Sequence, residues 1–408
     1  MAEQRVDRSR FRRSRVLIAV LAAVVLIGSA YVVLGPPGAI NAARARCVTG
    51  DVAELERPPI GNVGAATALR PAGTWADDVG VADGPPLGVF FDVDATADQA
   101  VAVGRIEAGG GVWRPLIATT SDGRDWRMST IGGVGQTDGD IVDVVAGGPG
   151  WLAAGSVITD DRGGSAGVVW WSDDGSTWQR GQLQPVAPVH RIAVGEDGML
   201  ALGSDPAGSA WLGSSVDGLH WEWRDPGIGR AVFEAIAWAS DGWVAGGRIL
   251  LGGDDALPAV WRSANGVDWS CRLLPTPRDV PYGWTTSVLP GGATTLITGA
   301  VNQSCSPFAS CAALTASWVA TADGAWRLIE AGEARAGLAT VAPDGSFVAL
   351  DGGGVWLSID GVNWQVVARP PEPGVPGALA VLGQGIVSIG ATYGAGVRPW
   401  VGLLPNEP

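Results

Sequence analysis

Apolar and polar positions alternate with a period of two in short stretches through most of the chain, which indicates β-strands rather than helices. Three clear stretches read VDVVAGGPGWLAAGS at 142–156, RIAVGEDGMLALGS at 191–204 and AIAWASDGWVAGGR at 235–248. In each, two apolar runs flank a turn that contains Gly, and the second run ends near another glycine. Looser versions lie at 91–105, 287–300, 340–352 and 378–391. The pattern predicts seven antiparallel hairpins.

A second motif, [ST]-x-[DN]-G-x-x-W, follows six of these hairpins. In such a turn the Asp or Asn side chain accepts a backbone N–H two residues further on, and the Gly adopts a positive φ. The Trp then packs its large face between neighbouring sheets. We interpret the following residues as structural turn residues, the fifth in a copy one residue shorter: Asp122, Asp174, Asp217, Asn265, Asp323 and Asp360.

Each hairpin with its turn motif makes a unit of four strands, A to D in chain order, and the units recur about every 48 residues. Units of this length predict an all-β fold, a β-propeller of seven four-stranded blades. A count of six or eight follows if the insertions at 301–315 or 130–142 are read differently. The seventh unit ends before a fourth strand, which residues 73–80, including Trp75, are predicted to supply.

The turn motif resembles the Asp-box, or BNR repeat, of sialidase-like and sortilin-like β-propellers, whose usual form is S-x-D-x-G-x-T-W. This chain lacks the residue between Asp and Gly, so it matches a variant of the box. The resemblance covers about residues 90–400. It implies a propeller in which the boxes are structural and lie away from the face that binds ligands.

The N-terminal segment predicts a membrane anchor. Residues 1–15 carry six arginines against two acidic residues, a charge of +4, and residues 16–34 carry no charge. A helix of that length spans about 28 Å, enough to cross a bilayer's hydrocarbon core. The basic arm is expected to stay cytoplasmic, which makes 35–70 an extracytoplasmic stalk and 71–408 the exported propeller. A cleaved secretory signal with its site at 43–45 is the alternative.

The charge of the exported part limits its partners. The 408-residue chain has 27 arginines, no lysine and 41 acidic residues, a formal net charge of −14. Without the basic arm, 21 arginines stand against 39 acidic residues, a net charge of −18. Such a surface repels polyphosphates and predicts no nucleic-acid partner. Neutral glycans, cations and basic protein surfaces remain as partners.

Four cysteines follow the predicted anchor, which suits an oxidising compartment. Cys305 and Cys311 bracket a short loop and are predicted to pair with each other. Cys47 and Cys271 are then either a second bridge, which ties the stalk to the propeller, or free thiols. The chain contains no C-x-x-C motif, so the cysteines do not indicate a zinc site.

The binding surface of a propeller is expected where the B–C and D–A connections surround the central channel. Candidate residues in the B–C connections are Asp160, Asp161, Arg162, Arg248, Asp254 and Asp255. The other candidates, from the D–A connections, are His190, Arg191, Arg230, Glu234 and Tyr282. The acidic pairs lack the alternate-residue spacing of a calcium loop, and no histidine has a suitably spaced partner. We therefore predict neither a metal nor a cofactor.

These features together predict a membrane-anchored propeller that binds or scaffolds a protein or glycan partner in the cell envelope without catalysis. One alternative is a sialidase-like glycoside hydrolase, in which Tyr282 would be the nucleophile beside Glu234, with arginines nearby. The arginine-bearing F/Y-R-I-P motif of that family is absent. Another alternative is an assembly factor that docks onto a neighbouring membrane complex.

Overall fold

A computed structural model gives the fold. It describes residues 47–49, 67–68, 70–71 and 88–403, with gaps at 109, 133–138, 149, 160–163, 187, 205–208, 253–254, 278–281, 293, 303–313, 322–323, 330–337, 352–353, 370–374 and 393–395. Within these ranges no helix has the length and apolar character needed to cross a membrane. The predicted anchor at 16–34 lies outside them.

Three short strands precede the repeats: β1 (Val48–Thr49), β2 (Thr67–Ala68) and β3 (Arg70–Pro71). Blade 1 contains β4 (Gly88–Ala95), β5 (Ala100–Glu107), β6 (Trp113–Thr120) and β7 (Arg127–Met128). After β8 (Thr130–Ile131), blade 2 contains β9 (Gly139–Gly147), β10 (Gly150–Ile158), β11 (Ser165–Ser172) and β12 (Thr177–Gln184). Blade 3 contains β13 (Val189–Val194), β14 (Met199–Ser204), β15 (Ala210–Ser215) and β16 (Glu222–Arg224).

The remaining strands follow the same plan. Blade 4 contains β17 (Ala231–Ala239), β18 (Gly242–Gly252), β19 (Asp255–Ser263) and β20 (Ser270–Leu273). Blade 5 contains β21 (Tyr282–Pro290), β22 (Thr295–Asn302), β23 (Leu314–Ala320) and β24 (Trp326–Ile329). Blade 6 contains β25 (Leu338–Val341), β26 (Phe347–Asp351), β27 (Gly354–Ser358) and β28 (Gln365–Arg369). The last sheet contains β29 (Val375–Leu382), β30 (Gly385–Thr392) and β31 (Gly396–Leu403).

The described strands form seven sheets. Six blades are complete in the predicted form, each with four consecutive strands, and the last sheet combines β29, β30 and β31 with the N-terminal β3. The A strands contact one another around a closed ring in the order β4, β9, β13, β17, β21, β25, β29 and back to β4. Apolar clusters fill the spaces between successive sheets. The predicted all-β propeller is confirmed.

In every sheet except blade 6, the glycine near the end of the predicted hairpin pairs with strand A at a bulge. In blade 1, Gly104 pairs with Phe90, and β4 carries one extra residue before Asp92. A Cβ atom at Gly104 would lie only 1.9 Å from the carbonyl oxygen of Val89. The same close approach to backbone occurs at Gly155, Gly247 and Gly299. Bulges re-aim the neighbouring side chains, and here they do so along the channel.

Strand order defines two ends of the propeller. Because successive strands are antiparallel, the A–B and C–D turns lie together at one end, which we call the box end. The B–C and D–A connections lie at the opposite end, the loop end. The box motifs therefore lie at the box end, and the predicted binding residues belong to the loop end.

The N-terminal strands extend the outer edges of three sheets. β1 pairs with β20 of blade 4, β2 with β28 of blade 6, and β3 with β31 of the last sheet. A disulfide joins Cys47 to Cys271, with 4.7 Å between their Cα atoms. Of the two alternatives for these cysteines, the bridge to the propeller is therefore the one observed. Cys305 and Cys311 lie outside the described residues.

The strand that completes the last sheet differs from the prediction. The sequence pattern predicts residues 73–80 for this strand, and these residues lie outside the described ones. It is instead Arg70–Pro71, paired antiparallel with Trp400 and Val401. A strand of two residues has no alternating pattern, so its position could not be recognised from hydrophobic periodicity.

Candidate functional site

The predicted site residues that the structure describes lie at the loop end of blades 3, 4 and 5. His190 and Arg191 lie near the start of β13, and Glu234 lies near the start of β17. Arg230 precedes β17, Arg248 lies in the second half of β18, Tyr282 begins β21 and Asp255 begins β19. Four other candidates lie outside the described residues: Asp160, Asp161, Arg162 and Asp254.

His190 and Glu234 share a structural position, because each is the extra residue of a β-bulge in strand A. The Glu234 carboxylate pairs with the Arg248 guanidinium across the hairpin at 3.1 Å, and both side chains are about one third exposed. Tyr282 is half-buried and packs against the core between blades 3 and 4. Glu234 and Arg248 are therefore a neutralised, partly solvated pair.

His190 is held as a neutral ring. Burial, followed by the charge of the neighbouring Arg191 guanidinium, lowers its pKa to about 4. Hydrogen bonds with the backbone of Phe233 and Pro188 oppose this shift. Near neutral pH the ring carries no charge and acts as a packing and hydrogen-bonding group between blades 3 and 4.

The channel contains an acidic pair, Asp92 and Asp143, that the sequence patterns do not indicate. Asp92, Asp143 and Arg191 each follow directly after the bulge residue of their A strands, in blades 1, 2 and 3. This equivalence brings the two carboxyl groups within hydrogen-bonding distance of each other. Arg191 lies 3.6 Å from the Asp143 carboxylate. Two carboxyl groups can share a hydrogen bond only if one of them holds a proton.

Burial accounts for that proton. Desolvation raises the pKa of Asp92 well above its usual range, and the charge of Asp143 raises it further. Desolvation also raises the pKa of Asp143, to about 6, against the opposing effects of Arg191 and the Ile192 N–H. The pair therefore retains a proton near neutral pH, because burial disfavours the charged form of both carboxyl groups.

The channel aspartates also satisfy backbone groups of the next blade. An A strand is the inner edge of its sheet, so part of its N–H groups has no ladder partner. Asp92 accepts from Val144 N–H at 3.0 Å and Asp143 from Ile192 N–H at 2.6 Å. Asp94 accepts from Ala146 N–H at 2.8 Å. These carboxyl groups tie blades 1, 2 and 3 together.

A second ionic contact links blades 1 and 2 closer to the loop end. The Arg105 guanidinium lies 4.0 Å from the Asp140 carboxylate. It also lies 4.5 Å from the ring centre of Trp113 and 5.5 Å from that of Phe91, at cation–π distance. Arg105 is thus fixed as a cation at the rim of the channel.

The geometry of the acidic pair differs from that of a glycoside hydrolase. Retaining enzymes separate their two carboxyl groups by about 5 Å, and inverting enzymes separate them further. Asp92 and Asp143 instead contact each other, and each has an oxygen committed to a backbone N–H. The pair is a protonated carboxyl–carboxylate contact that connects blades 1 and 2. Among the described residues, no group of three His, Cys, Asp or Glu is arranged to hold a metal ion.

The box residues adopt the predicted turn. Asp122 Oδ1 accepts from the N–H groups of Arg124 and Asp125, both at 2.8 Å, and Trp126 Nε1 donates to the Gly123 carbonyl at 3.0 Å. The same side-chain acceptor pattern recurs at Asp174, Asp217, Asn265 and Asp360. Asp323 lies outside the described residues. These five residues are engaged in holding their own turns.

Comparison with known proteins identifies no family for this chain. No protein-family description matches the chain, and no curated protein matches it in sequence. Among solved structures, it is similar to the β-propeller domain of the Trilobed protease from Pyrococcus furiosus, with a TM-score of 0.48 and 11% identity, over 79% of this chain and 100% of that one. It is also similar to the β-propeller domain of Cps50 (Swd1) from Myceliophteria thermophila, with a TM-score of 0.44 and 10% identity, over 78% of this chain and 100% of that one.

A third similar structure is an exo-β-1,3-galactanase from Phanerochaete chrysosporium. It has a TM-score of 0.39 and 9% identity, over 73% of this chain and 70% of that one. The sheet topology and the closed ring of A strands define the propeller independently of these neighbours.

Proposed function

We propose that this chain is a membrane-anchored, extracytoplasmic β-propeller that binds or scaffolds a protein or glycan partner in the cell envelope without catalysing a reaction. In this proposal residues 16–34 are the anchor, residues 1–15 remain in the cytoplasm, and the loop end is the binding surface. The boxes are the variant Asp-boxes that the sequence resembles, and they serve as turns.

One observation carries the proposal, the disulfide between Cys47 and Cys271. Disulfides persist outside the cytoplasm, where thiols are not kept reduced, so the bridge supports export of the propeller. Cys47 follows the end of the predicted anchor by 13 residues, and a fully extended chain of that length spans about 45 Å. The bridge would hold the propeller close to the membrane.

The direction of β1 supports an orientation. β1 runs parallel to β20, and β20 starts from the box end at Ser270. Cys47, which directly precedes β1, therefore lies on the side of β1 nearer the box end of blade 4. An anchor on that side would place the box end towards the membrane and the loop end towards the surroundings.

The loop end has properties suited to binding a polar partner. Three ion pairs lie around it in blades 1 to 4, Arg105–Asp140, Arg191–Asp143 and Glu234–Arg248. Most of these side chains are about one quarter to two fifths exposed. Charges of both signs in a fixed arrangement increase the specificity with which a polar partner is recognised more than they increase its affinity. The contact between Asp92 and Asp143 weighs against the hydrolase alternative for this pair.

Crosslinking in intact cells tests the proposal. The full chain, tagged at its C-terminus, is crosslinked and recovered from membranes, and its partners are compared with those of the exchange variant Glu234→Arg/Arg248→Glu. The exchange keeps an ion pair but reverses its direction. The matched control is Asp241→Arg/Arg262→Asp, which exchanges a pair at the box end of the same blade. We expect the loop-end exchange to remove the partner and the control to retain it.

Protease added to intact cells checks the topology in the same preparation. Digestion of the propeller supports the proposal, whereas protection of the propeller inside the cell contradicts it. Partners that survive both exchanges would exclude this part of the loop end as the binding surface. A neighbouring membrane complex among the crosslinked proteins would identify the assembly-factor alternative.

A screen of the full chain against fluorogenic glycosides tests the absence of catalysis. Hydrolysis that is lost in Tyr282→Phe would overturn the non-catalytic proposal and establish the glycoside hydrolase alternative. No hydrolysis is expected, because Glu234 is already paired with Arg248 and the acidic pair is closed on itself.

A further inference from the structure

An open groove of about 660 Å³ lies between blades 3 and 4 at the box end. Its walls come from the A–B turn of blade 3 at Asp197, the C–D turn of blade 3 at Trp221 and Glu222, and the A–B hairpin of blade 4 at Trp238 and Trp243. It is separate from the loop end, because all these segments are A–B or C–D turns and their flanking residues. The groove is an additional candidate binding site.

Aromatic faces form much of this groove. Trp238 and Trp243 are nearly perpendicular, at 76°, with their ring centres 5.1 Å apart. Trp243 is buried, whereas Trp238 and Trp221 are half-buried and leave ring surface open to solvent. Exposed tryptophan faces in a cleft bind either the apolar faces of ligands or cations, which the ring quadrupole attracts.

The charged residues along the groove favour a cationic ligand over a neutral one. The charged side chains that line it are Asp197, Asp217 and Glu222, and no arginine is among its lining residues. Asp217 is committed to its own turn and to His220, whose Nδ1 lies 2.7 Å away. Asp197 and Glu222 are exposed. Two carboxylates beside indole rings are complementary to a cation and offer a neutral sugar no comparable advantage.

We propose that this groove binds a basic peptide segment of a partner protein, with a Lys or Arg side chain placed against Trp238 and Trp221 and its charge facing Asp197 and Glu222. The groove is longer than a single side chain, since its lining extends over the turns of two blades. The net charge of −18 on the part of the chain beyond the basic arm steers a basic segment towards it. This site goes beyond the proposed loop-end function and does not depend on it.

Calorimetric titration of the detergent-purified full chain with hexalysine and hexa-arginine peptides tests the inference. We expect saturable binding of the peptides. The double variant Asp197→Asn/Glu222→Gln should weaken it about tenfold or more, because two exposed charges facing the ligand are removed. Trp238→Leu should weaken it as well, since the cation loses a ring face.

The matched control is Asp98→Asn/Asp125→Asn. It changes the same number of charges at the box end of blade 1, in an exposed A–B turn and an exposed C–D turn. This control should bind the peptides within about twofold of the wild type, which separates a specific groove from general attraction by an acidic surface. Equal weakening in both double variants would overturn the proposal.

Two other results would overturn it. Failure of both peptides to bind at low salt would exclude a basic segment as the ligand. Binding of tetramethylammonium without binding of either peptide would mean a site for small organic cations instead. Asp197 and Glu222 are exposed and have no structural partner in the described part of the chain, so their variant is expected to fold. The test therefore stands even if Trp238→Leu fails to fold.

Discussion

The aspartates of this propeller fall into two groups whose environments differ. The box aspartates, such as Asp122 and Asp174, are surrounded by backbone N–H donors, which lower their pKa. The channel aspartates Asp92, Asp94 and Asp143 have a raised pKa, because burial disfavours their charge. Aspartate thus acts as a charged hydrogen-bond acceptor in the box turns, whereas in the channel it retains a proton and connects neighbouring blades.

Stability is expected to depend on pH in opposite directions for the two groups. A box aspartate stabilises the fold above its unfolded pKa of about 3.9, and this contribution is lost as the pH falls. The channel aspartates contribute most to the stability of the fold below that unfolded pKa. The contribution of Asp143 is lost as the pH rises through its folded pKa of about 6. His190, with its lowered pKa, acts against them, since its neutral form is favoured as the pH rises.

The Asp92→Asn variant isolates the channel contribution. An Asn side chain resembles the protonated acid: its carbonyl can accept from Val144 N–H, and its amide can donate to Asp143. As the pH rises from 4.5 to 7.5, the free energy of unfolding should therefore fall more for the wild type than for the variant. We expect a change on the order of 2 kcal/mol. Denaturant unfolding at several pH values measures it, with exposed Asp98→Asn as the control. A pH-independent difference would contradict the shared proton.

At the scale of elements, the bulge and its glycine form one unit. Gly155 pairs with Ile141 where β9 carries its extra residue, and Asp143 follows directly after that residue. The glycine permits the bulge, and the bulge places the carboxyl group in the channel. This explains why the hairpins of the bulged blades end near a glycine, although no turn lies there.

Gly155→Ala should destabilise the propeller strongly. Its Cβ would lie 2.0 Å from the Asp140 carbonyl oxygen and 2.8 Å from Ile141 Cα. Backbone atoms cannot move aside as a flexible side chain does, so we expect a loss of at least about 2 kcal/mol. Gly292→Ala is the control, because its Cβ would meet its nearest neighbour at an ordinary 3.5 Å. Thermal unfolding of both variants measures the effect, and an unchanged melting temperature for Gly155→Ala would show that β9 does not need the bulge.

The elements also show what sequence reasoning could and could not find. The box turn was predictable because Asp174 bonds to N–H groups only two and three residues away. The pair of Asp92 and Asp143 was not, because its carboxyl groups come from different blades and meet only when the ring closes. The acidic residue that follows the bulge in blades 1 and 2, as in FDVD and IVDV, was the available signal. Its meaning depends on a bulge that alternation alone does not reveal.

A contact between blades recurs three residues after the box tryptophan. Arg224 donates to the Gly266 carbonyl of the next blade, Arg272 to Gly324, and Ser129 to Gly175. Each donor lies in or beside strand D and reaches the box turn of the following blade. The position thus connects neighbouring box turns around the outer part of the ring.

Arg224→Met tests this connection. The variant keeps an aliphatic side chain of similar length but leaves the Gly266 carbonyl without its arginine donor, at a cost of about 1 kcal/mol. Exposed Arg127→Met, next to a box tryptophan but away from any such carbonyl, is the matched control. Denaturant unfolding compares the two, and equal stabilities would mean that the contact contributes nothing to holding blades 3 and 4 together.

At the scale of the whole molecule, the N-terminal strands connect separate blades along the outer edge. They pair in turn with blade 4, blade 6 and the last sheet before the chain enters blade 1. β3 provides the outer strand that the last sheet lacks, so that sheet depends on both parts of the chain. In the proposed topology, the first of these contacts, at Cys47, is also the junction between the propeller and its anchor.

This junction predicts a result that neither an anchor alone nor a disulfide alone would give. A site-specific protease sequence is inserted between Pro59 and Ile60, beyond Cys47 and before β2, and isolated membranes are treated with the protease. The cut separates the anchor from the propeller along the chain, yet the disulfide still joins them. The cleaved propeller should therefore stay in the membrane pellet and appear in the supernatant only after a thiol reductant is added. Cys271→Ser should release it on cleavage alone.

Release of the cleaved wild type without reductant would contradict the bridge, and a propeller found in the supernatant before cleavage would contradict the anchor.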